Sequence, residues 1–288
     1  MSVSGSQIKV QDIDHLGIVA GIVDEMGLVE EINQLLGTHP QEIISVGQVV
    51  KAMIINGLGF VSAPLYLFHK FFEGIATEHL LGEGIQPEHL NDDRLGRVLD
   101  KLYDAGLTEI FIRVALSAAS KFGVKMDSFH LDSSSFHVHG DYGIDAEDEA
   151  SAESGLITIT YGYSRDHRPD LKQFILDLMC SGDGDIPLYL RVADGNEVDS
   201  AMFGKLIADF HKQWQIDGLF VADAALYTED NLQMMVSLRW VTRVPGTLTA
   251  AKELLENTSI DAFVASTIPG YRIAPYCNNY GEIGRAHV

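Results

Sequence analysis

F-H-L-D-S-S-S-F-H-V, residues 129–138, is the stretch at which the chain changes period. It is rich in β-formers and reads as a strand, whereas residues 10–122 before it carry helical spacing. Downstream, L-I-T-I-T-Y-G-Y-S (156–164) is strand-like. L-K-Q-F-I-L-D-L-M-C (171–180) and I-P-L-Y-L-R-V-A (186–193) read as two strands joined by S-G-D-G-D, which has the chemistry of a hairpin turn. A helix over 198–214, a strand over 218–224, a helix over 228–238 and a strand over 239–245 follow. Four strands, then alternating helix and strand, predict a mixed sheet flanked by helices. The class is α/β (α+β overall), and the order is compatible with an RNase H-like core.

Upstream, H-L-G-I-V-A-G-I-V-D-E-M-G-L-V-E-E-I-N-Q-L-L reads as one apolar stripe through Val19, Ile22, Val23, Met26, Leu28 and Val29. A second helix runs over 44–58, with Ser45 as its N-cap. Residues 65–72 make a short third helix. Asn91-Asp92 opens another over 91–103, with Leu95, Val98, Leu99 and Leu102 on one face, and residues 107–122 make a last one ended by Gly123. The predicted boundary is a helical domain over 1–123 and the sheet domain over 124–288.

Composition narrows the function classes. With 288 residues and 46% of them apolar, the chain can build one large core or two ordinary ones. No apolar run is long enough to cross a membrane, and no basic-then-apolar leader opens the chain. Two cysteines make neither a disulfide framework nor a complete zinc site, so a reducing cytoplasm is the expected compartment. The net charge of −21 opposes nonspecific binding of polyanions. Residues 141–153 hold six acids and no base and read as a solvated loop.

Against that background a few residues carry chemistry. Asp132 lies inside an otherwise apolar strand, and Asp223 ends another, in L-F-V-A-D-A-A-L-Y. Acids there are costly if buried alone. On adjacent strands, two of them would call for a cation between them, and hard oxygen ligands suit Mg²⁺ or Mn²⁺. The other reading of each is a strand-end carboxylate that caps a helix or pairs with Arg. Between them Y-G-Y-S-R-D-H-R-P-D-L-K-Q (161–173) concentrates Arg165, His167, Arg168 and Lys172, a set able to grip phosphate oxygens or simply to make a polar loop. His130, His137 and His139 offer an H-x-H pair but no second set of zinc ligands. Ser133–Ser135 have no nucleophile elbow around them, and G-E-G (82–84) is not a phosphate loop.

D-S-S-S-F (132–136), G-Y-S-R-D-H-R-P-D-L-K-Q (162–173), the G-N within V-A-D-G-N-E-V-D-S (192–200) and V-A-D-A-A-L-Y-T (221–228) occur in an order and at spacings that resemble DDE transposases of bacterial insertion sequences. The nearest resemblance is to the insertion-sequence-1634 family within the insertion-sequence-4 superfamily, over roughly residues 8–250. L-N-D-D-R-L-G-R-V-L-D-K-L-Y (90–103) resembles part of that family's N-terminal domain. The resemblance implies an RNase H-like catalytic core that cleaves and transfers DNA strands with two Mg²⁺ (or Mn²⁺) ions. Asp132 then matches the first catalytic acid and metal ligand, and Asp223 the second. It further implies DNA as partner, both the terminal inverted repeats and the target, a homo-oligomer when intact, and a cytoplasmic protein of a bacterium or archaeon with no membrane attachment.

One departure stands out. The family's third acid is a Glu within a Tyr-x2-Arg-x3-Glu-x6-Lys pattern on a late helix, and residues 245–288 contain no such pattern; Glu253 and Glu256 lack the Tyr and Arg. The last seven residues, E-I-G-R-A-H-V, match an in-frame reading of a common sequencing adapter. The expectation is therefore a C-terminally truncated, inactive fragment of a transposase. The alternatives are a non-catalytic remnant that binds DNA or pairs with intact subunits, and a metal-dependent nuclease or hydrolase unrelated to transposition.

Overall fold

The computed structural model describes residues 10–142, 156–164, 167–277 and 283–287. The chain divides into two compact units, one of residues 1–125 and 178–191, the other of residues 126–177 and 192–288.

The first unit is built on helices α1 (Leu16–Met26), α2 (Leu28–Leu36), α3 (Val46–Gly57), α4 (Phe68–Phe71), α5 (Thr77–Leu81), α6 (Asp92–Ala105) and α7 (Leu107–Phe122). The single stripe expected over the first two is broken at Gly27, whose left-handed φ of 78° ends α1 and starts α2. The buried face of α1 is accordingly Leu16, Ala20 and Val23, and Ile22 points outward, 51% exposed. Ser45 caps α3 as expected. Its side chain accepts from the Gln48 N–H, and the Gln48 side chain accepts from the Ser45 N–H, a complete capping box. Asn91 caps α6 through the Arg94 N–H at 2.9 Å. Leu95 and Val98 of α6 are buried, but Leu99 is half-exposed. The core packs α1, α2, α3 and α6 around Val46, Val49, Ile55, Phe72 and Leu90.

The second unit carries β1 (Ser128–Val138), β2 (Lys172–Ser181), β3 (Pro187–Ala193), α8 (Asp199–Trp214), β4 (Leu219–Ala222), α9 (Glu229–Met234), β5 (Arg239–Thr242), α10 (Thr249–Asn257), β6 (Val264–Ala265), β7 (Arg272–Cys277) and β8 (Ile283–His287); residues 178–191 of β2 and β3 are counted with the first unit. Five strands form one sheet in the order β3-β2-β1-β4-β5. β1, β4 and β5 are parallel. Ser133 of β1 contacts Asp177 of β2, and Phe136 stacks on Phe174. These contacts advance along β1 while retreating along β2, so that pair is antiparallel. This is the mixed, helix-flanked sheet expected. Helix α8 covers one face, where Phe129, Phe210 and Phe220 meet ring to ring.

One expectation fails here. Residues 156–164 are not a strand: one bridge, Thr160 to Gln173, is all the pairing they make. The cause is local crowding. The Thr160 backbone is bonded to Gln173, the Gly195 N–H reaches Thr158 O, and Gly162 lies so close to Gly195 that any Cβ would overlap the Gly195 carbonyl oxygen. Beyond β5, β6, β7 and β8 pair antiparallel; β8 lies along β7 from Ile273 to Cys277, and β6 meets only Arg272 and Ile273. Most of the acidic loop, residues 143–153, lies outside the described residues.

Candidate active site

β1 and β4 set the geometry. Their parallel register runs from Ser128 opposite Leu219 to Leu131 opposite Ala222. The next residue on each strand is an aspartate, Asp132 on β1 and Asp223 after β4. Neighbouring strands lie about 4.8 Å apart, so Asp132, inside β1, and Asp223, just past the end of β4, stand at the same level on adjacent strands.

Pleating decides which face they use. Phe129, Leu131, Phe220 and Ala222 are buried together, and Asp132 and Asp223, one step out of phase, are exposed on the opposite face. The desolvation cost weighed for Asp132 from its apolar neighbours therefore does not arise. Each carboxylate is oriented by a backbone donor. Asp132 Oδ1 accepts from the Ser133 N–H at 2.8 Å. Asp223 Oδ1 accepts from the Ala225 N–H at 2.8 Å and caps the 3₁₀ turn Ala224–Leu226, so its cap reading is also realised. Its carbonyl accepts from the Thr242 hydroxyl of β5, which ties the strand end to its other neighbour.

Hard oxygens in this arrangement suit Mg²⁺ or Mn²⁺, which commonly take one or two protein carboxylates and complete their shell with water and phosphate. Among the described residues no group of three or more His, Cys, Asp or Glu side chains could hold a metal. Two carboxylates on neighbouring strands can supply at most part of such an ion's shell. They do not make a closed cage. His137, weighed for zinc, instead contacts the Ser164 hydroxyl at 3.0 Å through Nε2.

A cavity of about 220 Å³ is lined by Ser133–Ser135, Tyr163, Gln173, Glu197 and Asp199 among others, and by neither aspartate of the pair. Ala225, which holds Asp223, also lines it. Gln173 is buried in its wall, and its Nε2 donates to Gly195 O at 2.7 Å and Tyr163 O at 3.3 Å. These bonds give G-Y-S (162–164) and the Gly195-Asn196 pair a physical role: they bring loop backbones against β2.

The cationic cluster is only partly turned outward. Arg168 donates to both carboxylate oxygens of Asp170, at 2.9 and 2.8 Å, in a fork. That bond holds the Asp170 carboxyl at about 2, below its ordinary 3.8. Lys172 Nζ pairs with Asp141 at 3.1 Å. His167 is exposed with a left-handed φ of 56°. Arg165 lies outside the described residues.

Sequence reasoning missed Asp177. It is 2% exposed, and its Oδ1 accepts from the Ser133 hydroxyl at 2.6 Å. Strand parity was the available signal. Gln173, Ile175, Asp177, Met179 and Ser181 share one buried face of β2.

A family model described as a domain of unknown function (DUF4277) matches residues 8–116. No curated protein matches the chain. Among solved structures, the chain is similar to piggyBac transposase in a synaptic complex with hairpin DNA, at 10% identity and a TM-score of 0.39, covering 99% of this chain and 54% of that one. It is also similar to Mos1 transposase in a paired-end complex with the left transposon end, at 9% identity and a TM-score of 0.25, covering 71% of this chain and 60% of that one. A pre-cleavage Mos1 transpososome gives 9% identity and a TM-score of 0.26 over the same shares. The chain thus spans little more than half the length of these transposases. Among the described residues, no helix is long and apolar enough to cross a membrane.

Proposed function

We propose that this chain carries the DNA-acting core of a DDE transposase of the insertion-sequence-4 type, in which Asp132 and Asp223 together hold Mg²⁺ or Mn²⁺ at a scissile phosphodiester. The observation that supports this reading most is the β1–β4 register, which leaves one aspartate at the same level on each strand and on the same exposed face. A divalent ion bound there supplies Lewis-acid polarisation of the phosphate and activation of the attacking oxygen. The protein's part is to orient the two carboxylates through the Ser133 and Ala225 N–H groups. Arg165, His167, Arg168 and Lys172 meet the DNA backbone, and a homo-oligomer brings two DNA ends together.

A second reading, a remnant that pairs with intact subunits more than it binds DNA, is favoured by one observation. Arg168 and Lys172 are already matched by Asp170 and Asp141.

Titration with Mn²⁺ followed by electron paramagnetic resonance tests the proposal. The wild-type chain should bind Mn²⁺, and Asp132→Asn and Asp223→Asn should each weaken binding at least ~10-fold, as loss of one of two hard ligands requires. The double variant should be little worse than either. Binding that ignores both substitutions would dismiss the site.

A further inference from the structure

Resting on that reading of Asp132, we propose that Asp177 is a positioning residue for the Asp132 carboxylate, acting through Ser133. Three observations carry it. Asp177 is an acid in the buried layer of the sheet, a placement that is unfavourable unless donors surround it. It takes the Ser133 hydroxyl at 2.6 Å, and Ser133 is itself 2% exposed. The same Ser133 donates its backbone N–H to Asp132 Oδ1 at 2.8 Å. Ser133 is therefore bonded on both faces of the sheet, with its side chain on the buried face and its N–H on the exposed carboxylate.

The position of this residue gives the link its purpose. Pairing of β1 with β4 stops at Leu131, so β4 does not hold the backbone of Asp132 and Ser133 in register. Anchoring the Ser133 side chain to a buried carboxylate fixes the direction of the N–H that aims Asp132. An apolar residue at 133 would fill the layer but give up that anchor, leaving the peptide held from the β2 side alone. Groups that orient a ligating carboxylate from behind typically change metal affinity 10–100-fold when removed.

The test uses the 288-residue chain and Mn²⁺ alone, with affinity read by electron paramagnetic resonance and stability by urea unfolding. Ser133→Ala and Asp177→Asn should each weaken Mn²⁺ binding about 10-fold. Ser133→Thr keeps the hydroxyl and should retain most of the wild-type affinity. Ile175→Ala, a cavity variant on the same buried face, should lower stability and leave Mn²⁺ affinity unchanged. Should Asp177→Asn fail to fold, the contrast between Ala and Thr at 133 decides. Wild-type affinity in Ser133→Ala, or equal weakening in Ile175→Ala, would overturn the positioning role while Asp132→Asn still abolished binding. If Asp132→Asn also bound Mn²⁺ normally, the positioning role and the metal site would fall together.

Discussion

The two units use charge differently. In the helical unit, Lys51 is buried on α3 with only 5% of its side chain exposed, and its Nζ meets Asp24 of α1 at 2.6 Å. Arg94 of α6 is similarly enclosed. It donates to Glu42 Oε1 at 3.0 Å and to Ile44 O at 2.6 Å, and so pins the chain just ahead of the α3 cap. In the sheet unit the charges highlighted by sequence lie nearer the surface: Asp132 on the exposed face of β1, Asp223 after β4, Arg168 beside Asp170, and the partly buried Lys172 beside the exposed Asp141. Charges enclosed by helices hold the fold, because losing one partner strands the other in a poor solvent. Exposed charges contribute little to stability and can exchange their partners for a ligand.

Breaking an enclosed pair should have the largest effect. Asp24→Asn leaves the Lys51 ammonium buried without its carboxylate. It should cost about 3 kcal/mol, the low end for such losses because Asp24 itself is 60% exposed. Urea unfolding measures it. A loss under about 0.5 kcal/mol, the size expected of a surface change, would erase the contrast between the units.

Releasing an exposed cation should leave stability little changed but alter DNA binding. Asp170→Asn frees the Arg168 guanidinium, and the slope of log affinity for duplex DNA against log salt should steepen by about 0.9, one phosphate contact. The sign of the pH effect follows from the depressed Asp170 carboxyl. A carboxylate lowered from 3.8 to about 2 keeps its pairing with Arg168 above pH 3.8 and loses it as pH falls through about 2. Between pH 5 and 8 the wild-type pair should therefore stay closed and contribute no pH dependence to DNA binding. Binding that is unaltered by Asp170→Asn would place the DNA on other residues.

What was legible in sequence depended on whether the deciding contact was local. The α3 cap was readable because Ser45 and Gln48 sit three residues apart and close their box on each other. Asp132 was readable as an acid inside a strand and Asp223 as one at a strand end. The register itself was not readable, because it depends on how Phe129 and Phe220 pack under α8. The β-rich segment 156–164 misled because its fate is set by backbone 37 residues away at Gly195, whose N–H donates to the Thr158 carbonyl. Asp177 was hidden for the same reason: its partner, Ser133, is 44 residues distant. Gly27 was visible as a glycine, but an unbroken apolar pattern across it concealed the break between α1 and α2.

The central claim is that Asp132 and Asp223 share one divalent cation. An experimental structure of the chain grown with Mn²⁺, with anomalous diffraction locating the metal, tests it most directly. The account predicts a single strong anomalous peak between Asp132 of β1 and Asp223 after β4, about 2.2 Å from a carboxylate oxygen of each aspartate, with water completing the shell. Carboxylates more than about 10 Å apart, or Mn²⁺ held by other residues while these two stay bare, would contradict it.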